Sequence, residues 1–189
     1  MELVTGYLKL VGEMLTRLPL AEIGRVIELL RTARIEGRRI FVMGNGGSAA
    51  MASHFACDLG KGTVTEGLPR FRVMSLNDNS PLLTAYGNDF GYETVFAEPL
   101  LSLAEPGDIA IAISSSGNSA NVLRAMEVAR QRGLTTVGIT GFAGGRLREL
   151  TDLCVIVPAD ASHPDAMQYV EDGQWVALHA IFVAIRDSQ

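Results

Sequence analysis

RIFVMGNGGSAAMASHFACDL, residues 39–59, decides the fold. After Arg39, Ile40-Phe41-Val42-Met43 form an unbroken apolar run with β-branched members, too short for a buried helix. Gly44-Asn45-Gly46-Gly47-Ser48 interrupts the run, and an alanine-rich, helix-forming stretch follows at once. A strand buried on both faces that turns directly into a helix is half of a parallel βαβ unit. The pattern repeats down the chain. Strands are predicted at 39–44, 70–76, 108–114, 135–141 and 153–158. Helical stretches are predicted at 47–59, 80–103 with a break, 119–132, 145–150 and 165–187. Such alternation predicts an α/β fold: a five-stranded parallel sheet in flavodoxin-like order with helices on both faces.

Upstream of this stretch, residues 1–36 read as a helical extension. One helix covers about 2–17, with Leu3, Tyr7, Leu10, Val11, Met14 and Leu15 on one stripe; the other covers about 20–36, with Ile23, Val26, Ile27, Leu29, Leu30 and Ala33. Apolar stripes that wide, outside an α/β core, predict an oligomer in which the extension is covered. The 189 residues suit one domain, with 37–189 as its α/β core. A 48% hydrophobic content and mean hydropathy of +0.22 supply a sizeable core. No apolar run is long enough to span a membrane, and MELVTGYLKL has no secretory-signal pattern. The two cysteines, Cys57 and Cys154, form no CxxC pair, and a cytoplasmic location is expected. The net charge of −5, without a basic cluster, excludes nucleic acid as the main ligand.

Two loops carry anion-binding chemistry. Gly44-Asn45-Gly46-Gly47-Ser48 follows the first strand, and Ser114-Ser115-Ser116-Gly117-Asn118-Ser119 follows the third. Each leads into a helix, whose free N–H groups and dipole favour an anion, while serine hydroxyls donate hydrogen bonds. Each could instead be an ordinary strand-to-helix turn. In flavodoxin-like order, however, strands one and three are neighbours whose ends flank the ligand crevice. Neither loop is GxGxxG or Walker A, and no acid ends the second strand, so no nucleotide cofactor is expected and the phosphate belongs to a substrate.

With these loops in place, the chain resembles the SIS fold and, within it, the phosphoheptose isomerase (sedoheptulose 7-phosphate isomerase) group. The resemblance rests on GNGGSAAMASHFACDL (44–59), YGNDFGYETVF (86–96), ISSSGNSANV (113–122) and the last helix with Glu171 and His179, and spans nearly the whole length. It implies substrate contacts from Asn45, Gly46, Gly47, Asn88, Asp89, Ser114, Ser115, Ser116 and Ser119, with the serine loop on the phosphate. Ser48 joins them from its place in the loop. It also implies a homotetramer with active sites built between subunits.

The family carries His, Glu, Gln and His at four positions tied to acid–base chemistry and to zinc; here they are His54, Asp58, Glu171 and His179. His54 and Asp58, four apart on a helix, share a face. Asp58 is a methylene shorter than the family glutamate, which predicts a carboxylate about 1 Å short of a substrate carbon and a rate penalty of ~100-fold. Glu171 adds an anion. Two imidazoles and two carboxylates suit Zn²⁺, one per subunit, at about 2.0–2.2 Å. For aldose–ketose isomerisation through an enediol, Asp58 is the candidate base and His179 the candidate acid, while Glu171 also reads as substrate-facing. A lone pair held by zinc cannot also shuttle a proton, so the zinc and acid–base readings compete. The departures at 58 and 171 keep two alternatives open: a phosphosugar-binding regulator without turnover, and an isomerase of another phosphorylated sugar. Each of the four side chains could also be merely structural. His163 reads as loop structure, Lys61 as a solvated lysine and Cys57 as packing.

Overall fold

The computed structural model describes residues 1–187. Two helices, α1 (Glu2–Leu15) and α2 (Leu20–Glu36), precede five strands: β1 (Arg39–Gly44), β2 (Arg72–Ser75), β3 (Ile109–Ser114), β4 (Thr135–Gly141) and β5 (Leu153–Val157). The remaining helices are α3 (Gly47–Cys57), α4 (Ser80–Phe90), α5 (Ala97–Leu103), α6 (Ala120–Gln131), α7 (Leu147–Leu150) and α8 (Ala166–Asp187). All strand pairs are parallel, in the order β2-β1-β3-β4-β5. β1 and β3 are therefore adjacent, as flavodoxin-like order requires. Gly44 pairs with Ile113, so the two loops leave the sheet side by side.

Alternation along each strand assigns the two faces. Ile40 and Val42 of β1, with Ile109, Ile111 and Ile113 of β3, face α2, α3 and α8; Phe41 and Met43, with Ala110 and Ala112, face α5 and α6. Both faces are apolar because both are covered. Burying a side chain such as Leu30 or Phe55 in these layers contributes about 1.5–3 kcal/mol. The edge strand β2 is shorter than predicted: Phe71 falls outside it, and Arg72 and Met74 are exposed.

Two local departures bear on the site. α3 passes at Cys57 into a π-helical turn, Asp58–Gly62, a wider coil that recurs at functional positions. Arg34 of α2, 4% exposed, anchors the exit of that turn by donating to the carbonyls of Thr63 (2.9 Å) and Pro69 (2.6 Å). The predicted 80–103 helix breaks after Phe90, where Gly91 leads into a 3₁₀ turn, Tyr92–Thr94.

α1 lies against α8 through Tyr7, Leu10, Val11, Met14 and Leu15. Tyr7 donates to Asp172 at 2.6 Å. Leu3, by contrast, is 90% exposed, with Val4 and Leu8 also in solvent. No described helix is long and apolar enough to cross a membrane.

Candidate active site

The glycine loop bends because Gly46 adopts φ +55, a left-handed conformation that a side chain would strain. Gly117, φ +66, does the same in the serine loop, and a Cβ there would lie 2.0 Å from the carbonyl oxygen of Gly144. Close packing of the β3 and β4 loops thus excludes any other residue. α3 and α6 then start without a side-chain cap among the described residues. Ser119, the N-cap of α6, faces Ser114 instead, with the hydroxyls 3.2 Å apart. Ser48 and Ala49 bond their N–H groups back to the Asn45 and Gly46 carbonyls and Val122 bonds its own to Asn121 Oδ1, so Gly47, Ala120 and Asn121 are the ones whose N–H groups suit an oxyanion.

The two loops enclose a cavity of about 160 Å³ lined by Asn45, Ser48, Ser114, Ser115, Ser116 and Ser119, together with Ile113, Met167 and Glu171. Larger grooves, about 670 Å³ beside β2 and about 800 Å³ under α1, carry neither loop. The serines are not equivalent. Gln174 is fully buried; its Nε2 donates to the Ile139 carbonyl at 3.2 Å, which aims Oε1 at Ser115. Ser115 must therefore spend its proton on Gln174 (2.9 Å) and has no hydroxyl proton for a ligand. Ser116 accepts from the Asn118 N–H and keeps its proton free of that contact.

Farther along α3, its π-helical continuation and α8, the side chains of His54, Asp58 and His179 converge. The two Nε2 atoms are 3.1 Å apart, and Asp58 Oδ2 lies 3.3 Å from His54 Nε2 and 3.9 Å from His179 Nε2. The Trp175 ring packs against both imidazoles, at 5.0 and 5.7 Å between centroids. Neither histidine is sealed in the core: their side chains are 48% and 49% exposed. The shorter acid at 58 lies within 4 Å of both imidazoles. His54 lies six residues beyond Ser48, and His179 eight beyond Glu171, so the cluster sits about 9–12 Å along the helices from the cavity.

Of the four expected ligands, three come together. Glu171 is not in the cluster; its carboxylate lies against Gly47, where a Cβ would sit 3.5 Å from Oε2. Two turns of helix separate it from His179, and only side chains extended toward each other would close that span. The three donors fit a metal ion: tetrahedral ligands at about 2.1 Å stand about 3.4 Å apart, close to the separations found.

Asn88 and Asp89 are exposed near the end of α4, with Asn88 Nδ2 donating to Asp89 Oδ1 at 2.8 Å, and they do not line the cavity. Cys57 is exposed in the groove beside β2, not packed as expected. His163 is loop structure as read: its Nδ1 accepts from the Asp165 N–H. Sequence reasoning missed Gln174, Asn121 and Tyr92. The polar Gln174 on the buried stripe of α8 was the one available signal.

A SIS domain family model matches residues 6–141. A phosphoheptose isomerase of Akkermansia muciniphila is 41% identical over 140 residues, covering 74% of this chain and 74% of the relative. One of Geobacter sulfurreducens is 37% identical over 183 residues, covering 94% and 93%. The structure of phosphoheptose isomerase from Neisseria gonorrhoeae superposes with a TM-score of 0.87 at 28% identity, covering all of this chain and 98% of that one. On these grounds the chain belongs to the SIS domain family and, within it, to the phosphoheptose isomerase group.

Proposed function

We propose that the protein interconverts sedoheptulose 7-phosphate and D-glycero-D-manno-heptose 7-phosphate through an enediol. The observation that carries this reading is the pairing of an oxyanion crevice with a His-Asp-His cluster farther along the two helices that border it. The phosphate sits at the uncapped starts of α3 and α6, taking the Ser116 hydroxyl and backbone N–H groups. A seven-carbon chain, with C–C bonds of about 1.5 Å, then reaches along the helices toward the cluster. Glu171, an acceptor at the crevice wall, suits sugar hydroxyls rather than the phosphate.

Asp58 directs Oδ2 at the two imidazoles, which leaves Oδ1 to take a proton from C1. His179 protonates the carbonyl oxygen at C2, giving the enediol. Return of the proton to C2, with loss of the C1 hydroxyl proton, yields the aldose. Division of labour between the two carboxylate oxygens allows metal binding and base catalysis by one residue. His54, Asp58 and His179 would hold one zinc ion per subunit, whose polarisation of the sugar carbonyl would stand in for the His179 proton, since an Nε2 bound to metal has none to give. The full enzyme is a cytoplasmic homotetramer in which residues 37–189 form the catalytic unit and residues 1–36 the assembly extension. The exposed Leu3, Val4 and Leu8 support that assembly. Asn88 and Asp89 of a neighbouring subunit then complete the site.

Incubation with sedoheptulose 7-phosphate in deuterium oxide, before and after metal stripping and zinc return, tests this reading. The expected result is aldose product with deuterium at C2, lost on stripping and restored by zinc. Binding without product or deuterium would replace it with a phosphosugar-binding regulator.

A further inference from the structure

Asn45 stands on the wall between the serine-loop cavity and a second one of about 370 Å³, which Tyr92, Glu93 and Asn121 also line. Its side-chain amide is held from two sides. Asn45 Nδ2 donates to Asn121 Oδ1 at 2.8 Å, and Asn121 Nδ2 donates back to Asn45 Oδ1 at 2.9 Å. Tyr92 donates its hydroxyl to the same Asn45 Oδ1 at 3.1 Å. Asn121 is 3% exposed, and its Oδ1 also accepts the backbone N–H of Val122 at 2.9 Å.

The orientation of the whole network follows from that last bond. A backbone N–H only donates, so the Asn121 atom facing Val122 is its oxygen. The other Asn121 atom is then the NH₂, which only donates, so the Asn45 atom opposite is oxygen. Asn45 Oδ1 now accepts twice, from Asn121 and from Tyr92, and both lone pairs are used. One N–H on Nδ2 is all that Asn45 has left. A side chain that by itself could accept or donate has become a donor only.

We infer that Asn121 is a positioning residue that commits Asn45, through its single remaining N–H, to donate to a ligand oxygen in the crevice. The inference takes its ligand from the isomerase reading above, so the ligand oxygen belongs to the phosphate or to a hydroxyl of the bound sugar. Tyr92 reinforces the commitment by occupying the second lone pair. Asn121 acts only through Asn45 and leaves the substrate untouched.

A double-variant cycle tests this, read as the Kd for sedoheptulose 7-phosphate by calorimetry and, in parallel, as kcat/KM. Asn45→Ala and Asn121→Ala each weaken binding about tenfold, and the double variant stays within about twofold of either single. Additive losses, about a hundredfold in the double variant, overturn the inference, because they mean that Asn121 acts independently of Asn45. So does an Asn121→Ala protein that binds within twofold of wild type. If Asn121→Ala does not fold, Tyr92→Phe takes its place; it removes one exposed hydroxyl and should cost about threefold alone and nothing on the Asn45→Ala background. Binding in wild type without turnover or deuterium exchange sinks the isomerase reading, while the Kd cycle still decides this one. Wild type that neither binds nor turns over the sugar overturns both.

Discussion

On the proposed mechanism Asp58 carries two duties on two oxygens, so a change that keeps its shape and removes its charge is the most informative at the residue scale. Asp58→Asn leaves an amide that can neither take a proton nor hold a metal ion as a carboxylate does. Deuterium incorporation at C2 should fall by about 10²–10⁴-fold, with bound zinc by elemental analysis dropping in parallel. Retained exchange in that variant would remove Asp58 from the chemistry. Gln174 poses a stability question instead. It is the link by which α8 holds the serine loop, and Gln174→Leu leaves the Ser115 hydroxyl and the Ile139 carbonyl without their buried partner. The expected cost is about 1–3 kcal/mol, read as a lower urea midpoint at unchanged slope. Unlike Asp58, this residue should alter phosphosugar affinity more than the turnover of bound sugar.

Among the elements, the two strand-to-helix loops depend on backbone shape more than on side chains. Gly117→Ala must relieve a positive φ and a methyl group driven into the Gly144 carbonyl. A loss of about 3 kcal/mol or more is expected in a urea titration, with phosphosugar binding abolished as the serine loop shifts. The strands were legible in the sequence because a doubly covered parallel sheet leaves unbroken runs such as Ile109–Ile113. The edge strand was overdrawn by Phe71, whose apolar side chain packs beneath Arg34 without entering the ladder. The π-helical turn at Asp58–Gly62 left no trace, since it differs from an α-turn in hydrogen-bond register and not in composition. Asn121 and Gln174 were missed for a different reason. Their partners lie 76 and 59 residues away, and a lone amide on a helix reads as surface until the fold brings its counterpart. Glu171 and His179 show the limit of the resemblance: two turns apart on α8, Glu171 lines the serine-loop cavity while His179 joins His54 and Asp58.

At the scale of the whole molecule, one phenol adds a hydrogen bond to the apolar contacts between α1 and α8. Burial first, then the hydrogen bond to Asp172 and the charges of Asp172, Asp165 and Glu171, push Tyr7 from 10.0 up to about 12. The protonated form is the one favoured by folding, so this contribution is complete below pH 10 and disappears as pH rises through about 12. Melting curves across that window should show α1 loosening in wild type, and Tyr7→Phe should flatten the dependence. The outer side of the same helix is expected to meet another subunit. Leu3→Glu with Leu8→Glu should shift the sedimentation of the protein to a smaller species without altering the far-ultraviolet spectrum of a well-folded chain. Retention of the wild-type assembly would move the contact elsewhere. The parallel sheet has one further consequence, set by the direction in which α3 and α6 leave it. Both present their positive ends, each about half an elementary charge, to the same small opening, and like poles so placed repel. Simple buffer ions should therefore act as preservatives: inorganic phosphate at a hundred times its Kd would add ~2.7 kcal/mol of resistance to unfolding, and a preparation moved into a non-coordinating zwitterionic buffer would melt earlier.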